Sequence, residues 1–284
     1  MRESPVHIIG ASGRSGLALY HALRARGVAV TPVVRNRQKW SEPDAIVADL
    51  TNPRSMTLAL SEATRVVSCA HARHAPAVIA AAPTDATFVF LGSTRKFTQW
   101  PDDHGNGVLA GEAAFTASGR FGVMLHPTMI YGAQGENNVQ RLAAVLARLP
   151  VVPLPKRGAS LVQPIHQEDV TRAMLAALDR TWDGPHSLTI AGPAPVSYGQ
   201  FIQAIAAAAG LRMPRILSFP IAPLIVAAAL SRFLPGLPTI QSGEIRRLLE
   251  DKAFDIGPMR ELLGIEPMSL QAGLARTFRT AHDP

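Results

Sequence analysis

The run Gly10-Ala11-Ser12-Gly13-Arg14-Ser15-Gly16 carries the plainest chemistry in this 284-residue chain. Its glycines stand three apart. Between a strand and a helix, such a turn leaves backbone N–H groups uncovered, aimed at a diphosphate on the helix N-terminus. The hydroxyls of Ser12 and Ser15 read as further phosphate contacts. About 20 residues on, the second apolar run closes on Arg35-Asn36-Arg37. An Asp or Glu there would bind a ribose 2′-hydroxyl, whereas guanidinium groups favour a 2′-phosphate. Arg14, Arg35 and Arg37 could converge on that phosphate, so the expected cofactor is NADP(H), with NAD(H) as the alternative. Asp49-Leu50 follows the third apolar run. Its acid suits either the adenine amino group or a cap, and its leucine suits a place beside the ring.

These residues need strands and helices in alternation, and the first half supplies them. Val6–Gly10, Val28–Val34, Ala45–Ala48, Val66–Ala70, Thr87–Leu91 and Gly122–Leu125 are short, nearly continuous apolar runs. That pattern predicts parallel strands covered by helices on both faces. Gly13–Arg26 reads as the first helix. Later helices are expected over Asn138–Leu149, Gln167–Leu178 and Ser197–Ala209, the last capped by Ser197. Pro150–Pro155 reads as extended, Asp102–Gly105 as a polar turn, and Arg212–Leu237 as a separate lobe or lid. The expected fold is α/β, a doubly wound parallel sheet with a smaller C-terminal substrate lobe. Residues 1–284 read as a single unit, with the dinucleotide core over about 1–155 and a mixed, lobe-forming part over about 156–284.

Composition narrows the function classes. Apolar residues make up 47% and charged residues 17%, enough for a packed core and too little charge for disorder. The net charge of +7 is spread without a basic stripe, which argues against nucleic acid as a partner. The single cysteine, Cys69, sits in an apolar run and reads as a small buried residue; no internal disulfide is possible. With no signal peptide at the N-terminus, the expectation is a cytoplasmic protein. Phe219–Leu234 is the most apolar stretch, but it is too short to span a bilayer and contains Pro220, Pro223 and Arg232, so no integral membrane segment is expected. His71 and His74 lack a third ligand, so no metal is expected. No serine sits in a GxSxG elbow.

Taken together, the glycine turn, Ala48-Asp49-Leu50, Phe90-Leu91-Gly92-Ser93-Thr94, His126-Pro127-Thr128-Met129-Ile130-Tyr131-Gly132, Gln163–Val170 and Glu250-Asp251-Lys252 resemble the extended and atypical short-chain dehydrogenase/reductases, the NAD-dependent epimerase/dehydratase-like group. The resemblance implies a Rossmann-type fold and a Ser/Thr–Tyr–Lys catalytic set. Thr94, or its neighbour Ser93, matches the hydroxyl. The Tyr–Lys pair is missing, since no tyrosine lies between Tyr20 and Tyr131. Matching Glu112 to the family's acid puts His104 at the Tyr position and Val108 at the Lys position. His104 is then a candidate proton donor and Lys96 a candidate cation. The family brings Pro127, Thr128 and Ile130 near the nicotinamide, and has Arg where this chain has His126. Tyr131 is read as a pocket residue or a loop anchor, and Asp169 as structural.

The expected activity is an NADP(H)-dependent oxidoreductase acting on a small, largely apolar carbonyl or enone. A non-catalytic NADP(H)-binding sensor or subunit, and an epimerase using the cofactor transiently, are the alternatives. The expected partner is a small-molecule substrate, and the family resemblance allows a homodimer.

Overall fold

The computed structural model describes residues 4–132, 138–149, 151–220 and 249–279. β1 (Val6–Ile9), β2 (Val30–Val34), β3 (Ile46–Val47), β4 (Arg65–Ser68), β5 (Thr87–Leu91), β6 (Gly122–Pro127) and β11 (Pro185–Ile190) form one seven-stranded sheet. Its order is β11-β6-β5-β4-β1-β2-β3, and every pair in it is parallel. This is a Rossmann-type doubly wound sheet, and the strand order reverses at β1.

The apolar runs are continuous because both faces of the sheet are covered, and successive side chains go to opposite cores. Ile8, Val67, Val89 and Leu125 face one core with Leu19 and Leu23 of α1 (Arg14–Ala25) and Val170 and Met174 of α6 (Gln167–Asp179). Ile9, Val66, Phe90 and Met124 face the other. That second core receives α2 (Pro53–Leu60), α3 (Ala75–Ala81) and α4 (Asp103–Ser118). α8 (Gly257–Leu263) adds Met259 and Leu263 to the first core.

A third apolar cluster belongs to the smaller lobe. It joins α5 (Asn138–Leu146), α7 (Tyr198–Ala208) and α9 (Leu270–Arg279) over β8 (Val151–Leu154) and β9 (Leu161–Val162). β13 (Arg215–Ser218) pairs with β8, and β12 (Val196–Ser197) with β9. Short β7 (Ile130–Tyr131) and β10 (Ile165–His166) pair beside this lobe. Tyr131 and Val139 already belong to its core, while β11 returns from beyond residue 155 to the main sheet.

Two expectations are corrected. Asp102–Gly105 is not a free polar turn: Asp102 caps α4 by accepting from Gly105 N at 2.8 Å, so His104 lies in the helix's first turn. α5 ends at Leu146, three residues short of the expected Leu149. Of the stretch Arg212–Leu237, residues from 221 lie outside the described residues, as does most of Phe219–Leu234. No helix among the described residues is long and apolar enough to cross a membrane.

α1 reaches the sheet through one close approach. A Cβ on Gly16 would stand 2.3 Å from the Gly10 carbonyl oxygen and 2.9 Å from the Ala11 Cα. Both are backbone atoms, and neither can swing away. Gly16→Ala is therefore expected to push α1 off β1 and lower stability by about 2 kcal/mol or more. Gly184→Ala, where an added Cβ meets nothing within 4 Å, is expected to change little. Thermal melts of the two variants check this.

Candidate functional site

Two features meet at the carboxyl ends of the strands. The first is the crevice where the strand order reverses. The Gly10–Gly16 turn leaves β1 there, and Cys69–His74 leaves the neighbouring β4. Gly10 takes φ +74°, a left-handed value suited to glycine. Its N–H and that of Ala11 both donate to Val33 O, at 3.0 and 3.3 Å, which ties the turn to β2.

The helix that follows is left open at its positive end. The cap of α1 is Gly13, which has no side chain to offer, and the first turn holds no acid. Phosphate oxygens fit such an end, since they replace the missing cap and meet the helix dipole. Gly10, Ser12, Gly13, Arg14 and Gly16 all lie in this turn, with Ser12 and Arg14 exposed. Ser15 is engaged differently: its hydroxyl donates to Gln167 Oε1 at 2.9 Å, tying α1 to α6.

Arg35 is exposed just past β2. Arg37 is exposed too, but its Nη1 donates to Trp40 O at 2.6 Å, within its own turn. Asp49 follows β3 and accepts from Thr51 N at 2.8 Å and Thr51 Oγ1 at 2.7 Å. Those bonds, with Arg35 and His74 nearby, hold its carboxyl below the usual range. Leu50 packs against the second core.

The second feature is a cleft of about 330 Å³ between the sheet and the C-terminal segment. Ser93, Thr94 and Arg95 enter it from the end of β5, Thr128 and Met129 from the end of β6. Glu250, Lys252 and Phe254 close the far side. Thr94 Oγ1 donates to Pro127 O at 3.2 Å. Ser93 Oγ accepts from Arg95 N at 3.1 Å and caps the turn Thr94–Phe97. Thr128 Oγ1 donates to Gln163 O at 2.5 Å, and Gln163 Oε1 accepts from Phe254 N at 2.7 Å. Pro127 is buried in β6, and Ile130 lies in β7 beyond the cleft wall.

Behind Thr94 lies a polar cluster. Lys96 Nζ donates to both carboxylate oxygens of Glu112 at 2.7 Å, and the two side chains are only 9% and 18% exposed. His126 stands beside them: its Nδ1 accepts from Ser93 N at 3.2 Å, and its Nε2 lies 3.1 Å from Ser187 Oγ. The ring sits so close under the loop that a Cβ on Gly92 would fall 2.3 Å from Nδ1.

Burial, with the Lys96 charge adding to it, pulls the His126 pKa down to about 4. The imidazole is thus neutral near pH 7, with Nδ1 free to accept. For Glu112, burial opposes ionisation, but the hydrogen bonds from Lys96 and Ser187 outweigh it and keep the acid below its usual range.

The structure thus brings Ser93, Thr94 and Thr128 into one cleft and places Lys96 behind it, against Glu112. His104 is exposed on α4, its ring edge-on to His71 at 4.4 Å, and does not line the cleft. Tyr131 is an anchor: it is buried in the lobe core, and a Cβ on Gly273 would meet its hydroxyl at 2.1 Å. Asp169 is fully buried and accepts from Arg172 and from Met268 N at 2.9 Å, holding the C-terminal segment to α6. The Cys69 thiol is pushed up to about 12 by burial. No metal-binding cluster occurs among the described residues. Sequence reasoning had no role for Glu250, Lys252 and Phe254, although the first two stood in a recognised motif.

Residues 10–107 match a family model described as NAD(P)H-binding. No curated protein matches the chain. Among solved structures, an NADPH-dependent quinone oxidoreductase from Escherichia coli, complexed with NADPH, aligns at TM-score 0.74 and 17% identity, over 96% of this chain and 99% of that one. UDP-glucose 4-epimerase from Thermotoga maritima, with UDP-glucose, aligns at 0.73 and 15%, over 99% and 100%. A short-chain dehydrogenase/reductase superfamily protein from Agrobacterium tumefaciens, with bound NAD, aligns at 0.71 and 16%, over 98% of each chain. At these identities the likeness is one of fold.

His126 makes stability depend on pH. Unfolded chains take up its proton near pH 6.5, while the folded protein resists until about pH 4. Its contribution is complete above pH 6.5 and is lost as pH falls through that window to about 4. His126→Gln is expected to remove up to one proton from the slope, about 1.4 kcal/mol per pH unit. Lys96→Met leaves Glu112 without its cation and is expected to cost about 3 kcal/mol at pH 7. Urea melts across pH 4–8 measure both.

Proposed function

We propose that this protein is an NADP(H)-dependent reductase of a small, largely apolar carbonyl or enone, working without the usual Tyr–Lys pair. The observation that carries this reading is the open N-terminus of α1 at the strand-order reversal, on the same edge of the sheet as the Thr94 cleft. The family match over residues 10–107 supports a nicotinamide cofactor. Arg14 and Arg35 beside the turn favour the 2′-phosphate form. Phe254, Met129 and Phe97 give the cleft an apolar wall, and Thr94, Thr128 and Lys252 give it a polar one.

When bound, the nicotinamide supplies a hydride. This chain's residues hold the diphosphate at Gly10–Gly16 and the substrate in the cleft beside Thr94. They also keep the loop carrying Thr94 in place through Ser93 N–H and the neutral His126 ring. A second reading, an NADP(H)-binding sensor without turnover, is favoured by two observations: Lys96 is bonded to Glu112, and His104 stands off the cleft.

Fluorescence titration with NADPH and NADH tests the cofactor. NADPH is expected to bind at least ~10-fold more tightly, a difference of about 1.4 kcal/mol, and Arg35→Ala is expected to erase most of it. Tighter binding of NADH would sink the assignment. NADPH oxidation across carbonyl, enone and quinone substrates tests the chemistry, with Thr94→Val expected to lower kcat/KM at least ~10-fold. Tight NADPH binding with no oxidation across the panel selects the sensor.

A further inference from the structure

The proposed reduction leaves a proton to be found. Hydride gain at carbon turns a carbonyl into an alkoxide or an enone into an enolate, and the oxygen needs a donor. The N-terminal half supplies no tyrosine between Tyr20 and Tyr131, and Tyr131 is locked in the lobe core. The cleft's threonines are committed: Thr94 donates to Pro127 O, Thr128 to Gln163 O and Thr98 to Glu250 Oε1. Ser93 Oγ accepts from Arg95 N, and its own proton is that of a weakly acidic aliphatic alcohol.

One hydroxyl of suitable acidity remains. Tyr198, the first residue of α7, lines an adjoining pocket of about 280 Å³ that shares Thr94, Arg95, Thr128 and Lys252 with the cleft. It comes from the opposite lobe, so it faces the end of β5 across the cleft. Its backbone is fixed twice over. Tyr198 N donates to Ser160 O at 2.8 Å, and the preceding Ser197 forms a capping box with Gln200. Phe201 supports the ring at 6.2 Å between centroids. Among the described residues the Tyr198 hydroxyl makes no hydrogen bond. Ser160 lines the same adjoining pocket, but a phenol, with an ordinary pKa of about 10, is a far better acid than an aliphatic alcohol.

Resting on the reductase reading above, we propose that Tyr198 is the catalytic proton donor to the substrate oxygen. As the electrophilic carbon gains the hydride, the C=O π pair moves to oxygen, which takes the phenolic proton. In an enone the pair passes through the C=C bond. Solvent then reprotonates the Tyr198 phenolate. The substrate is reduced by two electrons and the cofactor is oxidised by two. Burial raises the Tyr198 pKa, so the group waits protonated.

The test is para-nitrophenol, whose absorbance reports its ionisation and whose phenolate mimics the enolate. It is titrated into wild type and Tyr198→Phe, with and without NADP+, after melts show that both are folded. Wild type is expected to bind the phenolate and the variant to bind it at least ~10-fold more weakly, about 1.4 kcal/mol. Equal affinity in the two proteins, or no binding to either, overturns the assignment. Turnover gives a second arm, in which Tyr198→Phe is expected to lose ~100-fold in kcat with its NADPH affinity unchanged. A variant with wild-type kcat also overturns it. If NADPH neither binds nor is oxidised while the phenolate contrast persists, the reductase reading fails and the Tyr198 oxyanion site stands.

Discussion

Between Gly16 and the carbonyl of Gly10 there is no room for a single added carbon, and that contact governs the N-terminal half. It lets α1 lie against β1 with its axis aimed at the point where the strand order reverses. Gly10, in the left-handed region, then turns the chain so that the helix begins at once. The outcome is an N-terminus with neither side-chain cap nor acid, placed where two crossovers part in opposite directions. A helix end of this kind carries a partial positive charge and free donors, and an anionic diphosphate answers both.

A second constraint holds the cleft. The loop after β5 has little regular structure, yet three separate bonds fix it: Ser93 N to His126, Thr94 Oγ1 to Pro127 O, and Lys96 Nζ to Glu112. Two of these anchors belong to β6 and one to α4. The charged pair is mostly buried, so its strength depends on both partners being present. His126 takes part as a neutral ring, accepting at Nδ1. The cluster therefore acts on the cleft from behind, by keeping the loop's backbone in one conformation.

Much of this was legible in the residues. The apolar runs marked the first six strands of the sheet, five of them because a doubly covered sheet demands it and β3 although Ile46 and Val47 are exposed at the edge, and the glycine spacing marked the turn. The parts that were hidden share a physical cause. β11 carries His186 and Ser187 on an edge strand where solvent is admitted, so it lacks the apolar run of its neighbours. α4 contains Gly105, Gly107 and Gly111, which weaken its helical pattern; Gly111 is there because a Cβ would meet Ala72 O at 2.0 Å. Lys96 looked like a free loop cation because its partner, Glu112, is distant in sequence. Nothing in the sequence marks Tyr198 beyond its place after the Ser197 cap. Only the lobe's placement over the sheet brings it opposite Thr94.

The return of β11 to the main sheet also bears on how the chain is made. β6 is built by residue 127, but its outer neighbour spans Pro185–Ile190, and α6, which covers one face beside α1, lies between them in sequence. A ribosome-bound chain ending near residue 155 would expose β6 as an unpaired hydrophobic edge and leave half of one sheet face bare. The sheet of the nucleotide-binding half is therefore complete only after about 190 residues have emerged, and its first core only once α8 has followed.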